Sequence, residues 1–219
     1  MQTLRFDILA PPQRQFWNEL QFVPGQFVLY GGTAIALQLG HHRSIDFDFF
    51  SSAGADSDDL LRRVPWLRGA ETMCGTPDTL TCRVDRAGPI KVSFFGTPLL
   101  RALRAPLVEP ATSLKLASLL DLAGAKAFVL QQRAEAKDYL DVDALLGSGL
   151  SLPVMLAAGG AIFGARFDAQ STLKALSYFG DGDLDTLDQD VRQHLLGAVR
   201  AADLEHLPDP GVPLGGIGE

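Results

Sequence analysis

Apolar positions in the first hundred residues follow strand-like and helix-like periods in alternation. Gln26–Tyr30 is a β-branched and aromatic run closed by Gly31-Gly32, which predicts a strand and a tight turn. Thr33–Leu39 predicts a short helix with Thr33 as its N-cap. Polar and apolar residues alternate through Ser44–Phe50, predicting a strand with Asp46 and Asp48 on one face. Asp56–Arg63 reads as a charged helix ended near Pro65, and Thr79–Asp85 with Pro89–Phe95 as a hairpin around Arg86-Ala87-Gly88. From Ser118 the texture turns helical. Ser118-Leu119-Leu120-Asp121 marks a helix start, with Asp in the place of the usual capping-box Glu or Gln. Asp121–Leu146 keeps a helical period, as one helix or as two bent near Arg133, and Gly147-Ser148-Gly149 ends it. Further helices are expected in Leu152–Ala158, Gln170–Tyr178 and Leu187–Leu204. The tail from Pro208, with three prolines and four glycines in twelve residues, predicts disorder. These elements divide the chain into an α/β module over residues 1–110, a helical module over 111–207 and a tail over 208–219. The boundary falls around 106–118, where Pro106 and Pro110 interrupt regular structure.

Composition narrows the class. With 219 residues, 47% of them hydrophobic, the chain is long enough to bury a substantial core. No apolar run approaches the roughly 18–20 residues of a spanning helix, so no membrane partner is expected. Met1–Leu9 lacks the basic flank and apolar stretch of a secretory signal. Cys74 and Cys82 match no metal or redox spacing and read as buried thiols, consistent with a cytoplasmic protein. The formal charge of −7, from 26 acidic and 19 basic residues, argues at first against a nucleic-acid partner. Its distribution changes that inference. Residues 1–105 hold 11 Lys/Arg and 10 Asp/Glu, leaving 8 and 16 for the rest, and nine of those acids lie after residue 180.

The chemistry concentrates in Tyr30–Ser51. Two glycines that end a strand and open a helix turn backbone N–H groups and the positive helix end toward the turn, a place that suits phosphate oxygens. Asp46 and Asp48 leave the next strand from one face, with Cα atoms about 6.5–7 Å apart. Carboxylates at that separation can share divalent cations roughly 3.5–4 Å apart, which clamp the attacking and leaving oxygens of a phosphoryl displacement. Alone, a Gly-Gly turn is more often just a turn and an exposed D-x-D a solvated face. Here the two acids sit among Ile45, Phe47, Phe49 and Phe50, a strand built for burial, where carboxylates need cations or donors. Arg43 offers a charge to a carboxylate or to a nucleotide phosphate. In the helical part, Lys126, Arg133, Lys137 and Asp141 fall within about 80° of one another on a continuous helix, a stripe suited to a triphosphate. On spacing alone the solvated-face reading of that stripe is the stronger. Asp138 lies off it, at about 120° from Lys126. Asp181-Gly182-Asp183-Leu184-Asp185 opens like a calcium loop but carries Thr186 and Arg192 at its sixth and twelfth positions. His41-His42 should diverge and has no third ligand near in sequence. Arg62, Arg63 and Arg68 read as a solvated face.

The string GGTAIALQLGHHRSIDFDFF, together with AGAKAFVLQQRAEAKDYLDVDALL and more loosely LKALSYFGD, resembles the AbiEii/AbiGii-type nucleotidyltransferase toxins, within the DNA polymerase β-like nucleotidyltransferases. The resemblance spans most of residues 25–205. It implies an α/β (α+β) fold: a polymerase β-like N-terminal module with a mixed sheet, then a helical module. It implies Mg2+- or Mn2+-dependent nucleotide transfer from an NTP, with tRNA as acceptor and a separately encoded antitoxin as partner. Carried over by residue, Gly31, Gly32 and Thr33 match the phosphate turn and Asp46 and Asp48 the metal ligands. Lys126, Arg133, Lys137, Asp138 and Asp141 match the helical motifs, Asp138 as the catalytic acid favoured by the match. One departure stands out: where the wider fold has a third carboxylate on a later strand, this chain reads Val92-Ser93-Phe94. That motivates two alternatives, a nucleotide- or partner-binding module whose catalysis has decayed, and an antibiotic-modifying enzyme with a small-molecule acceptor.

Overall fold

The computed structural model describes residues 3–218. It divides into two compact units, one running to Ser118 and resuming at Leu214, the other Leu119–Pro213.

The first unit begins with a short helix α1 (Pro11–Phe16), whose two prolines occupy the positions where a missing N–H costs nothing. Then come β1 (Val28–Tyr30), α2 (Gly31–Leu39), β2 (Asp46–Ser51), α3 (Ser57–Arg63), β3 (Glu71–Thr76), β4 (Thr79–Asp85), β5 (Pro89–Gly96), β6 (Arg101–Ala102), β7 (Leu107–Val108) and β8 (Lys115–Leu116). Seven strands form one mixed sheet in the order β3-β4-β5-β2-β1-β8-β7. In it β2 runs antiparallel to β1 and parallel to β5, and β1 runs parallel to β8. The mixed α/β architecture expected from the sequence is present.

β2 shows why the alternation matters. Phe47 and Phe49 point into the core at 0% exposure, where Phe49 stacks on Phe94 at 5.3 Å and Phe47 meets Phe16 at 6.0 Å. Asp46, Asp48 and Phe50 therefore share the opposite, partly open face. The β4–β5 hairpin turns at Arg86–Gly88 as its spacing predicted, with Ala87 at φ 57°.

Three expectations are corrected here. Thr33 does not cap α2: the helix already starts at Gly31, with Tyr30 in the cap position, and Thr33 lies inside it. The segment holding Pro106 and Pro110 is not an interruption, because the prolines flank β7, which pairs with β8 and extends the sheet. Cys82 is buried, but Cys74 is exposed, since β3 is an edge strand open on its outer side. The end of the tail is also ordered. A last strand, β9 (Gly215–Gly216), pairs with β6, Ile217 is 2% exposed, and its carbonyl accepts from the Ser52 backbone N–H and hydroxyl. Proline and glycine content predicts disorder only where no partner strand waits.

The second unit is helical: α4 (Leu119–Val129), α5 (Ala136–Gly147), α6 (Leu152–Phe163), α7 (Ala169–Ser177) and α8 (Gln189–Ala201). α4 lies closely on α6: a Cβ on Gly124 would come 2.9 Å from the Ala158 backbone, and Phe128 stacks on Phe163 at 4.2 Å. Asp168 caps α7 through the N–H groups of Gln170 and Ser171. α5 takes its cap from afar: Asp183 Oδ1 accepts from Ala136 N–H at 2.7 Å. No single helix among the described residues is long and apolar enough to cross a membrane.

Candidate active site

In the first unit, the end of β1, the start of α2 and the face of β2 converge. Tyr30 pairs with Asp48 across the β1–β2 ladder, which brings Asp48 beside the turn into α2. Gly31 sits at φ +73°, and a Cβ there would stand 3.1 Å from Asp48 Oδ2. The glycine is thus required twice, by its backbone conformation and by the carboxylate resting on it. Gly32 follows in the first turn of the helix. Thr33, 1% exposed, points inward; its hydroxyl donates to the Asp46 carbonyl and lies 2.7 Å from Ser44 Oγ. That hydroxyl ties α2 to the start of β2 and so sets Asp46. Arg43 is exposed on the loop before β2.

The parallel β2–β5 register sets Asp46 against Lys91 and Asp48 against Ser93. Lys91 Nζ is 3.7 Å from Asp46 Oδ2, with the two side chains 46% and 28% exposed. Ser93 is buried and receives a hydrogen bond from Thr81 Oγ1 at 3.3 Å. The donor set is therefore two carboxylates on one open strand face, with a neutral hydroxyl beside them. Hard oxygen donors of this kind fit Mg2+ or Mn2+. His41 and His42, expected to diverge, instead lie with ring centroids 4.2 Å apart.

The second unit gathers the helical-motif residues in a way that spacing did not suggest. The helix is broken between Val129 and Ala136, so no continuous stripe exists. Instead α4 and α5 face each other and close a buried ion cluster. Lys126 Nζ lies 2.6 Å from Asp138 Oδ1 and 2.5 Å from Asp141 Oδ2. Arg133, in the connecting turn, donates Nε to Asp138 Oδ2 at 2.8 Å. Asp138 and Asp141 are 0% and 1% exposed, whereas Arg133 is 46% exposed. Lys137 turns away and pairs with Glu135 at 2.9 Å. Burial alone would lower the Lys126 pKa, but the charges of Asp141 and Asp138 outweigh it and raise the value above 10.5. Burial pushes the Asp138 carboxyl up, and the hydrogen bond from Arg133 with the charge of Lys126 holds it below its ordinary range.

The residues sequence reasoning passed over are Lys91, Thr81 and Asp183. The first two enter through strand pairing, and the third reaches α5 from 47 positions away; the DGD loop was its only signal.

Residues 16–210 match the family of AbiEii nucleotidyl transferase toxins of type IV toxin–antitoxin systems. The chain belongs to this family. With it, the chain is placed among the nucleotidyltransferases. An uncharacterised protein of Aquifex aeolicus is 34% identical over 123 residues, a match covering 53% of this chain and 55% of that protein, so the alignment spans about half the relative's length. Solved structures share the fold. MenT4, a nucleotidyltransferase toxin from Mycobacterium tuberculosis, superposes with TM-score 0.54 at 16% identity, covering 86% of this chain and 83% of that one. A protein from H. pylori assigned as a nucleotidyltransferase gives 0.56 at 14% identity, covering 86% and 92%. A nucleotidyltransferase-like antigenic protein from Paracoccidioides brasiliensis gives 0.51 at 17%, covering 84% and 93%.

Proposed function

We propose that the chain transfers a nucleotidyl group from an NTP to the end of a tRNA, with Mg2+ held by Asp46 and Asp48, as the toxin of a cytoplasmic toxin–antitoxin pair. The observation that carries this is the placement of both carboxylates on one open face of β2, with Asp48 resting on the glycine that starts α2. A divalent cation there would supply charge neutralisation at the reacting phosphate. The chain's own groups do the rest. The N–H groups of the first turn of α2 would donate to a phosphate placed there. Thr33 fixes the strand that carries Asp46.

In the helical unit, Asp138 is bound by two cations and its pKa is lowered, so it stays ionised and makes a weak proton acceptor near neutral pH. Its role in this proposal is to hold Arg133, the half-exposed member of the cluster, for a phosphate group. The antitoxin partner follows from the family.

The test is incubation of the protein with each α-labelled NTP, Mg2+ and total tRNA. Transfer by the wild type, lost in Asp46→Ala/Asp48→Ala, supports the proposal; label moving equally in both sinks it. The buried neutral Ser93 favours a second reading, a site that binds nucleotide without turnover. Nucleotide binding by calorimetry with no transfer to tRNA, and none to hydroxylated antibiotics, would select that reading.

A further inference from the structure

Lys91 has no part in the motifs that define the site, yet strand register fixes it opposite Asp46, on the face that carries both carboxylates. The next cation along the same row, Arg83, lies opposite Lys91 on β4 and is already paired with Glu71. The ammonium of Lys91 therefore lies on the face that carries Asp46 and Asp48, at 3.7 Å from Asp46 Oδ2. Next to it, Ser93 is buried, neutral and bonded to Thr81, so it adds no charge.

We propose that Lys91 is a working residue of this site: it counterbalances Asp46, and contacts a phosphate of the bound triphosphate once a divalent cation has taken its place at Asp46. The inference rests on the reading of Asp46 and Asp48 as the metal-holding pair. A lysine suits the exchange because its ammonium is a compact point charge on a flexible stem, and this stem is half-exposed. Two consequences of opposite sign follow. Lys91 competes with the cation for Asp46, and it attracts the triphosphate. A plain surface ion pair would do neither to a measurable extent.

The experiment uses the full chain and two probes: Mn2+ alone, followed by electron paramagnetic resonance, and inorganic triphosphate titrated calorimetrically at saturating Mg2+. Lys91→Met should bind Mn2+ about threefold to tenfold tighter and triphosphate at least about tenfold weaker, from the loss of one nearby unit charge. Lys91→Arg should stay within about threefold of the wild type in both. Lys91→Gln serves as a second neutral variant if the Met protein does not fold. Absence of either shift in the neutral variants, or both shifts in one direction, overturns the role of Lys91. An Asp46→Asn/Asp48→Asn protein that binds Mn2+ as tightly as the wild type overturns the metal-pair reading itself, and this proposal with it, whatever Lys91 does.

Discussion

Replacing Lys126 by Met should destabilise the protein by about 4 kcal/mol at pH 7 and by much less at pH 5. The side chain is 8% exposed and its ammonium contacts two carboxylates that are 0% and 1% exposed. Asp138 keeps Arg133 after the change, and Asp141 loses its contact with the Lys126 ammonium. Removing one member of a buried pair costs about 3–5 kcal/mol because a charge is left in a poor medium. Protonation sets a ceiling on that cost. A carboxylate with a reference pKa of about 3.9 takes up a proton at pH 7 for about 1.36 kcal/mol per pH unit, roughly 4 kcal/mol in all. At pH 5 the same step costs about 1.5 kcal/mol. Methionine keeps the apolar stem, so lost packing contributes little.

Urea unfolding of both proteins at the two pH values, with unchanged slope m, measures the difference. A cost of this size lowers Tm by about 8–16 °C for a chain of this length at pH 7. Adding Asp141→Leu should recover at least about 2 kcal/mol, because a buried carboxylate that lost its ammonium goes with it. A cost below about 1 kcal/mol, or one equal at pH 5 and pH 7, would refute the reasoning. It would mean that water reaches the cluster and screens it.

Four further outcomes are expected. Asp138 has a lowered pKa, so the stability it confers is complete above its unfolded value near about 3.9 and is lost as pH falls through the lower folded value; Asp138→Asn should flatten the acid limb of an unfolding profile below about pH 4. Asp183→Ala removes the cap of α5 and should cost about 0.5–2 kcal/mol in thermal or urea unfolding, with Asp183→Asn retaining most of it. Gly31→Ala forces a side chain at φ +73° and 3.1 Å from Asp48, costing about 1–2 kcal/mol of stability and weakening Mn2+ binding in a paramagnetic titration. Asp48→Glu should lose at least about tenfold more labelled-nucleotide transfer than Asp46→Glu, since Asp48 is packed on Gly31 and Asp46 is flanked by a movable lysine.

Local pattern carried much of this fold. The alternation in Asp46–Ser51, the β4–β5 hairpin and the helix start at Leu119 follow from near neighbours, and they are where the sequence reading and the structure agree. What escaped is non-local. Thr33 looked like a cap because Ser and Thr accept from nearby N–H groups, yet its hydroxyl bonds a carbonyl thirteen residues on. The Lys126–Asp141 stripe assumed one helix; breaking it at 130–135 moved Asp138 from off the stripe to the centre of the cluster. Lys91 has no local signal at all, and Ser93 stood out only as a departure from the family pattern. Both lie beside the carboxylates because β5 pairs in parallel with β2 at that register.

The same register makes the two carboxylates of β2 unequal, which the spacing D-x-D conceals. Asp48 lies between a rigid glycine turn on β1's side and a buried serine on β5's side, neither of which can move aside or supply charge. Asp46 has an exposed lysine for a neighbour, a group that can leave and return. A cation arriving at Asp46 would therefore displace the Lys91 ammonium. On the proposed reading, the fixed acid would define where a ligand sits, and the exchangeable one would let local charge adjust as a phosphate comes and goes. The formal charge of −7 says nothing about such a site, because a third of the acidic residues lie after position 180, where Asp183 caps a helix. On the proposed reading, whether the chain can meet a polyanion turns on the β2 face, on Asp46, Asp48 and the half-exposed Lys91 paired with Asp46.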